Sequence, residues 1–213
     1  MVYFSLIKYI YKFPVQVLFF DYLLLGLELL AVLLAITYLL LAVRQDIRCW
    51  FAGIVSSLIY LLLMYKANLY MESVLQIFYV SMGIYGWSQW NIKNTQDNLM
   101  KVSLWSFKKH AVVIMTILGL AFLAGNLLEA YTNAALPFLD SLTTFGALAA
   151  TYMVAKKILE NWIYWFVIDA ISVVLFIERE LYLTSLLFCL YLVIIFFGFR
   201  SWLNAYKLEV SKQ

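Results

Sequence analysis

LYMESVLQIFYVSMGIYGWSQW, residues 69–90, decides the fold. The stretch is long enough to span a bilayer, holds few formal charges, and closes on an aromatic cluster, Tyr85, Trp87 and Trp90. It also recurs. Displaced by 112 residues and without a gap, it lies on LYLTSLLFCLYLVIIFFGFRSW, residues 181–202. Leu69, Tyr70, Ser73, Leu75, Tyr79, Gly86 and Trp90 meet Leu181, Tyr182, Ser185, Leu187, Tyr191, Gly198 and Trp202. The same displacement carries Trp50 onto Trp162, Val55 onto Val167, Ile59 onto Ile171, Ala35 onto Ala147 and the acid Glu28 onto the acid Asp140. An internal repeat constrains the architecture before any single helix does.

Composition sets the environment. Of 213 residues, 66% are hydrophobic and 13% charged, whereas a soluble domain has about a quarter charged residues. This is an all-α polytopic membrane protein, because only helices and closed barrels satisfy the backbone in lipid and the apolar runs are too long for barrel strands. The net charge of +3 is spread over loops, so it speaks to topology and not to nucleic-acid binding. Cys49 and Cys189 sit at non-equivalent places in the repeat without CxxC spacing, which reads as two reduced, inert thiols.

Residues 1–21 are apolar but broken by Lys8, Lys12 and Pro14, and they lack a signal-peptide pattern. They read as an uncleaved interfacial segment bent at Pro14, with an additional span as the alternative. Seven spans are expected, at residues 22–43, 50–65, 69–90, 110–128, 138–155, 162–177 and 181–202. Residues 22–90 form a first three-helix repeat. Residues 91–137 supply a polar loop, a linker helix and a second loop. Residues 138–202 form the second repeat, and 203–213 a polar tail. Three spans reverse the chain and a fourth restores its direction, so the two repeats are parallel in a 3+1+3 arrangement. Parallel repeats occur in transporters whose substrate sits between them near the midplane.

Lys and Arg give the orientation. With the loops after spans one, three and five and the tail in the cytoplasm, that side holds Arg44, Arg48, Lys93, Lys101, Lys108, Lys109, Lys156, Lys157, Arg200, Lys207 and Lys212. The outside keeps Lys8, Lys12, Lys66 and Arg179. The C-terminus is therefore expected to be cytoplasmic.

Polar residues inside spans are costly and are functional candidates by default. Gln76 and Tyr79 share a face of span three, and Trp165, Asp169 and Ser172 share a face of span six. Asp169 lies roughly 10 Å into its span at 1.5 Å per residue. No Lys or Arg lies at comparable depth. The expected site is a cavity in which a flat aromatic ligand sits between Trp and Tyr rings and is oriented by Gln76 and Asp169. Plainer readings stand beside this one. Gln76 also fits interhelical glue. Trp87, Trp90, Trp162 and Trp202 also fit an interfacial aromatic belt. Ser56, Ser57 and Ser172 also fit bonds back to their own helices. Glu28 and Asp140, near the outer ends of spans one and five, fit gates of the site or, more plainly, helix N-terminal acids favoured by the dipole. Gly86 and Gly198 fit close helix packing.

The sequence has no GxGxxG, P-loop, HExxH or GxSxG pattern. Its one histidine, His110, stands beside Lys108 and Lys109 at a membrane edge. No catalytic residue, metal site or cofactor is expected. A small-solute channel would need a continuous polar path, whereas these polar residues gather at mid-depth. A structural membrane subunit would have no use for an unpaired Asp169.

LQIFYVSMGIYGWSQW, KKILENWIYWFVIDAISVVLF and the closing LYLTSLLFCLYLVIIFFGFRSW together resemble the PnuC family of vitamin transporters, over residues 27–202. The resemblance implies a fold like full-length SWEET transporters and a homotrimer in the bacterial inner membrane. It implies facilitated diffusion of nicotinamide riboside or, in related branches, thiamine, trapped inside by a cytoplasmic kinase. Carried over by residue, the substrate contacts fall at Gln76, Tyr79, Trp87, Trp90, Trp162, Trp165 and Asp169, with Ser172 beside them. Riboside carriers of the family often have Asn where this chain has Ser56, Gly83 and Asp169. Both vitamins carry a fixed positive charge on an aromatic ring, so stacking and charge suit either. Transport is expected to rock one repeat against the other, with aromatic layers as gates.

Overall fold

The computed structural model describes residues 15–66, 70–92, 100–132, 136–178 and 182–211. They form seven helices: α1 (Val15–Val43), α2 (Arg48–Lys66), α3 (Tyr70–Ile92), α4 (Phe107–Tyr131), α5 (Pro137–Ala155), α6 (Asn161–Glu178) and α7 (Tyr182–Val210). All except α3 are long and apolar enough to cross a membrane. With 23 residues α3 is long enough too, but Ser73, Gln76, Ser81, Ser88, Gln89 and Asn91 lower its hydropathy. Residues 15–21 are the first turns of α1, and residues 1–14, the rest of the expected interfacial segment, lie outside the described residues. The expected turn at 66–68 falls largely outside them as well. At the other end α7 runs on to Val210 through most of the expected tail, since no Pro or Gly follows Gly198 to stop it.

Among the described residues the chain forms two compact units. One comprises α1 up to Ala42 together with Asp46–Trp87, and the other Val43–Gln45 together with Ser88 onward. In the first unit, small residues bring the helices close. Gly53 of α2 faces the Tyr38 ring of α1, and Gly83 and Gly86 of α3 face Ile54 and Trp50 of α2. The Tyr38 and Trp50 rings meet edge to face, with centroids 6.0 Å apart. The Ser56 hydroxyl crosses from α2 to donate to the Ala31 carbonyl of α1 at 2.8 Å. Ser56 is therefore an interhelical tie and does not bond back to its own helix.

In the second unit α4 packs on α5, α5 on α6 and α6 on α7. Gly125 lets α4 approach the backbone of Phe138, and Gly146 of α5 faces Ile168 of α6. Gly198 of α7 lies under the Trp162 ring of α6, where an added Cβ would stand 2.5 Å from the indole. The segment before α4 is held by a parallel bridge between Ser103 and Ile158. Ser103 N–H donates to the Lys157 carbonyl at 3.0 Å, and Leu159 N–H donates to the Ser103 carbonyl at 2.9 Å.

The 112-residue displacement is written into this packing. Trp50 covers Gly86 in the first unit, and their counterparts Trp162 and Gly198 repeat the arrangement in the second. Gln45 and Lys157, also counterparts, both have left-handed backbones, φ 57° and 51°. A non-glycine residue in that region costs about 1–2 kcal/mol, and the chain accepts that cost at the same place twice. Trp90 and its counterpart Trp202 meet each other, ring centroids 6.4 Å apart.

The indole over each glycine cannot retreat the way a flexible side chain can. Gly198→Ala is expected to cost about 1–3 kcal/mol through overpacking, seen as a lower thermal midpoint in detergent. Combining it with Trp162→Leu should recover most of the loss. Gly119→Ala should be neutral, since a Cβ there meets nothing within 4 Å.

Candidate functional site

The site rests on α6. This helix begins at Asn161 after a tight left-handed turn at Lys157 and is held against α5 where Gly146 meets Ile168. Asp169, next along, lies eight residues beyond Asn161, about 12 Å down the axis. It is 5% exposed and makes no hydrogen bond or ion pair among the described residues. A carboxylate withdrawn from water without a partner is expensive and is kept where a ligand, water or cation completes it. One turn before it, Trp165 is half-buried. One turn after it, Ser172 is buried, but its hydroxyl donates to the Ile168 carbonyl at 2.9 Å, so its bonding capacity is partly used.

The other candidates divide by environment. Gln76 and Tyr79 are half-buried on one face of α3, and Trp87 is 38% exposed. These three belong to the first unit. In the second unit, Trp90 and Trp162 are 2% and 1% exposed. Trp90 Nε1 donates to the Ala155 carbonyl at 3.2 Å. The Trp162 ring lies over Gly198 and meets Trp202 edge to face, centroids 5.5 Å apart. Both rings are spent on packing and leave almost no surface for a ligand in this conformation.

Two of the three departures from the riboside-carrier pattern are also structural. An added Cβ at Gly83 would come within 2.5 Å of Ile54, which leaves no space for an amide side chain. Ser56 is committed to Ala31. Asp169 is the departure that is buried without a partner among the described residues.

The repeat separates scaffold from site. Positions alike in both copies, Trp50 and Trp162, Gly86 and Gly198, Trp90 and Trp202, are packing residues. Positions that differ hold most of the ligand candidates: Asp169 stands against Ser57, Trp165 against Gly53, and Gln76 against Phe188. An asymmetric ligand requires such divergence.

Sequence reasoning passed over a polar cluster that ties α4 to the start of α6. His110 Nδ1 lies 3.0 Å from the Tyr164 hydroxyl, and His110 Nε2 lies 3.3 Å from a Glu160 carboxylate oxygen. Glu160 also accepts the Trp105 backbone N–H. Sequence reasoning also missed Lys157, a charge assigned to a loop that is in fact 8% exposed. The signal available was its position, 112 residues beyond Gln45 in a shared turn.

The chain is similar to known proteins over most of its length. A family model described as nicotinamide mononucleotide transporter matches residues 25–204. The nicotinamide riboside transporter PnuC of Escherichia coli is 26% identical over 201 residues, covering 81% of this chain and 82% of that protein. The riboflavin/roseoflavin transporter RibM of Streptomyces davaonensis is 23% identical over 188 residues, covering 86% and 87%. The crystal structure of the vitamin B3 transporter PnuC superimposes with a TM-score of 0.67 at 19% identity, covering 85% of this chain and 82% of that one. That likeness shows a shared fold.

A carboxylate without a partner among the described residues contributes no hydrogen bond or ion pair to the packing described. Asp169→Asn should therefore be at least as stable as the unsubstituted chain in thermal unfolding. A loss of more than about 1 kcal/mol would mean that the carboxylate has a structural role.

Proposed function

Because the chain belongs to the nicotinamide mononucleotide transporter family, we propose that it carries nicotinamide riboside across the membrane, with the cationic ring held by Asp169. The chain is a multi-pass vitamin transporter of the PnuC family and not an enzyme. The finer reading rests on one observation, a buried carboxylate without a partner among the described residues, in the middle of a membrane helix. A fixed cation on a flat aromatic ring complements it twice, by charge and by stacking on Trp165. Gln76, Tyr79 and Trp87, candidates with amide, hydroxyl and ring surfaces, lie in the first unit. Trp90 and Trp162 act behind the site as its scaffold.

In this reading the chain is two parallel three-helix repeats joined by α4, with α3 as a seventh span. Transport is facilitated diffusion, and a cytoplasmic kinase traps the product of uptake. The protein lies in the bacterial inner membrane with its C-terminus inside, as a homotrimer. Thiamine is the second reading, because Asp169 replaces the amide expected of a riboside carrier while suiting thiamine's cation equally. Riboflavin fits less well: its ring system is uncharged, and a buried carboxylate facing it would stay uncompensated.

Calorimetric titration of the purified protein with nicotinamide riboside, thiamine and riboflavin tests this. Riboside should bind, and Asp169→Ala should weaken it about 10- to 100-fold, the usual loss for a deleted charged contact. Binding of thiamine alone would transfer the assignment to thiamine. Tighter binding of riboflavin than of either cation would contradict the role given to Asp169.

A further inference from the structure

At one end of the helices, four residues meet their own counterparts in the repeat. Lys157 Nζ donates to Gln45 Oε1 at 3.2 Å, and Trp90 lies against Trp202. The Lys157 ammonium stands 4.6 Å from the Trp90 ring centroid. Two further bonds are reciprocal. Trp90 Nε1 reaches the Ala155 carbonyl, and Ser201 Oγ, on the neighbour of Trp202, reaches the Val43 carbonyl at 2.9 Å. Val43 is the counterpart of Ala155. Beside them Lys156 Nζ donates to Gln89 Oε1 at 2.9 Å.

A contact between counterparts joins one copy of the repeat to the other. Motion of one copy against the other must therefore change it, whereas a contact within one copy, such as Trp162 on Gly198, can ride along unchanged. The bonds also differ in kind. The Trp–Gly seats are steric, while the Lys157 ammonium donates to the Gln45 amide oxygen and lies over the Trp90 ring. Lys157 sits at a helix end, so its long stem can carry the ammonium into water once the contact parts. Both residues of the pair hold left-handed backbones, the kind of strained position that persists at switches where the surroundings enforce it.

We propose that the Lys157–Gln45 hydrogen bond, seated on the Trp90–Trp202 pair, is a latch that closes this end of the carrier and parts in every transport cycle. The latch rests on the transport reading, and its test separates the two. In a chain with Cys49 and Cys189 replaced by Ala, Gln45→Cys with Lys157→Cys is cross-linked by oxidation. Uptake of labelled nicotinamide riboside should fall more than about tenfold, as for a trapped conformer, and return on reduction. Uptake that survives complete cross-linking overturns the latch, whereas no riboside uptake by the unsubstituted chain counts against the substrate instead.

Two further arms do not depend on the cross-link. The exchange Gln45→Lys/Lys157→Gln keeps the pair and sets the new lysine toward Trp202, so it should retain uptake that Lys157→Met alone disturbs. An exchange as damaging as Lys157→Met, with both proteins folded, overturns the pairing. Independently of any substrate, Lys157→Cys in permeabilised membranes should react with a charged maleimide as this end opens. Ala155→Cys, at a fully buried position, should stay protected. Equal protection of both overturns the latch.

Discussion

An indole pressed on a glycine is the contact on which the rest of this structure depends. Trp50 over Gly86 and Trp162 over Gly198 set how closely the helices of each copy approach. Without a hydrophobic driving force in lipid, such close packing and a few polar bonds are what holds helices together. The seats fix the depth of α6, and with it the position of Asp169. They also place Trp202 where Trp162 and Trp90 both meet it.

The division of labour between copies follows from this. Both copies need the seats, so their residues are the same in each. Asp169, Trp165 and Gln76, by contrast, have no like counterparts, as the proposed binding of an asymmetric ligand requires. At the end of the helices the two requirements meet: Lys157 and Gln45 share one backbone conformation but carry different side chains that bond each other. Most charged groups lie at helix ends, where water supports them. Asp169, eight residues into α6 and 5% exposed, does not lie at a helix end, and among the described residues no protein group completes it.

Much of this was legible in the sequence. The repeat, the helical class and the candidate Asp169 followed from spacing, composition and depth. The roles of the tryptophans did not, because an aromatic belt, a ligand-stacking ring and a packing ring have the same sequence signature. The close approach to Gly86 and Gly198 marks Trp50 and Trp162 as packing rings, and the Ala155 bond and Trp202 contact do the same for Trp90. Ser56 read as a local helix bond because sequence cannot show that α1 passes 2.8 Å from its hydroxyl. Lys157 read as a loop charge because nothing in KK marks a left-handed backbone that turns one lysine inward over a ring. The extent of α7 was missed for a simpler reason, that polar residues alone do not end a helix.

The most direct test is counterflow in proteoliposomes. Vesicles holding the purified protein are preloaded with unlabelled nicotinamide riboside and diluted into trace labelled riboside, with no ATP and no ion gradient. The account predicts transient accumulation of label by the unsubstituted chain and its loss in Asp169→Ala at equal protein content. Label entering loaded and empty vesicles alike, or accumulation undiminished by Asp169→Ala, would contradict it.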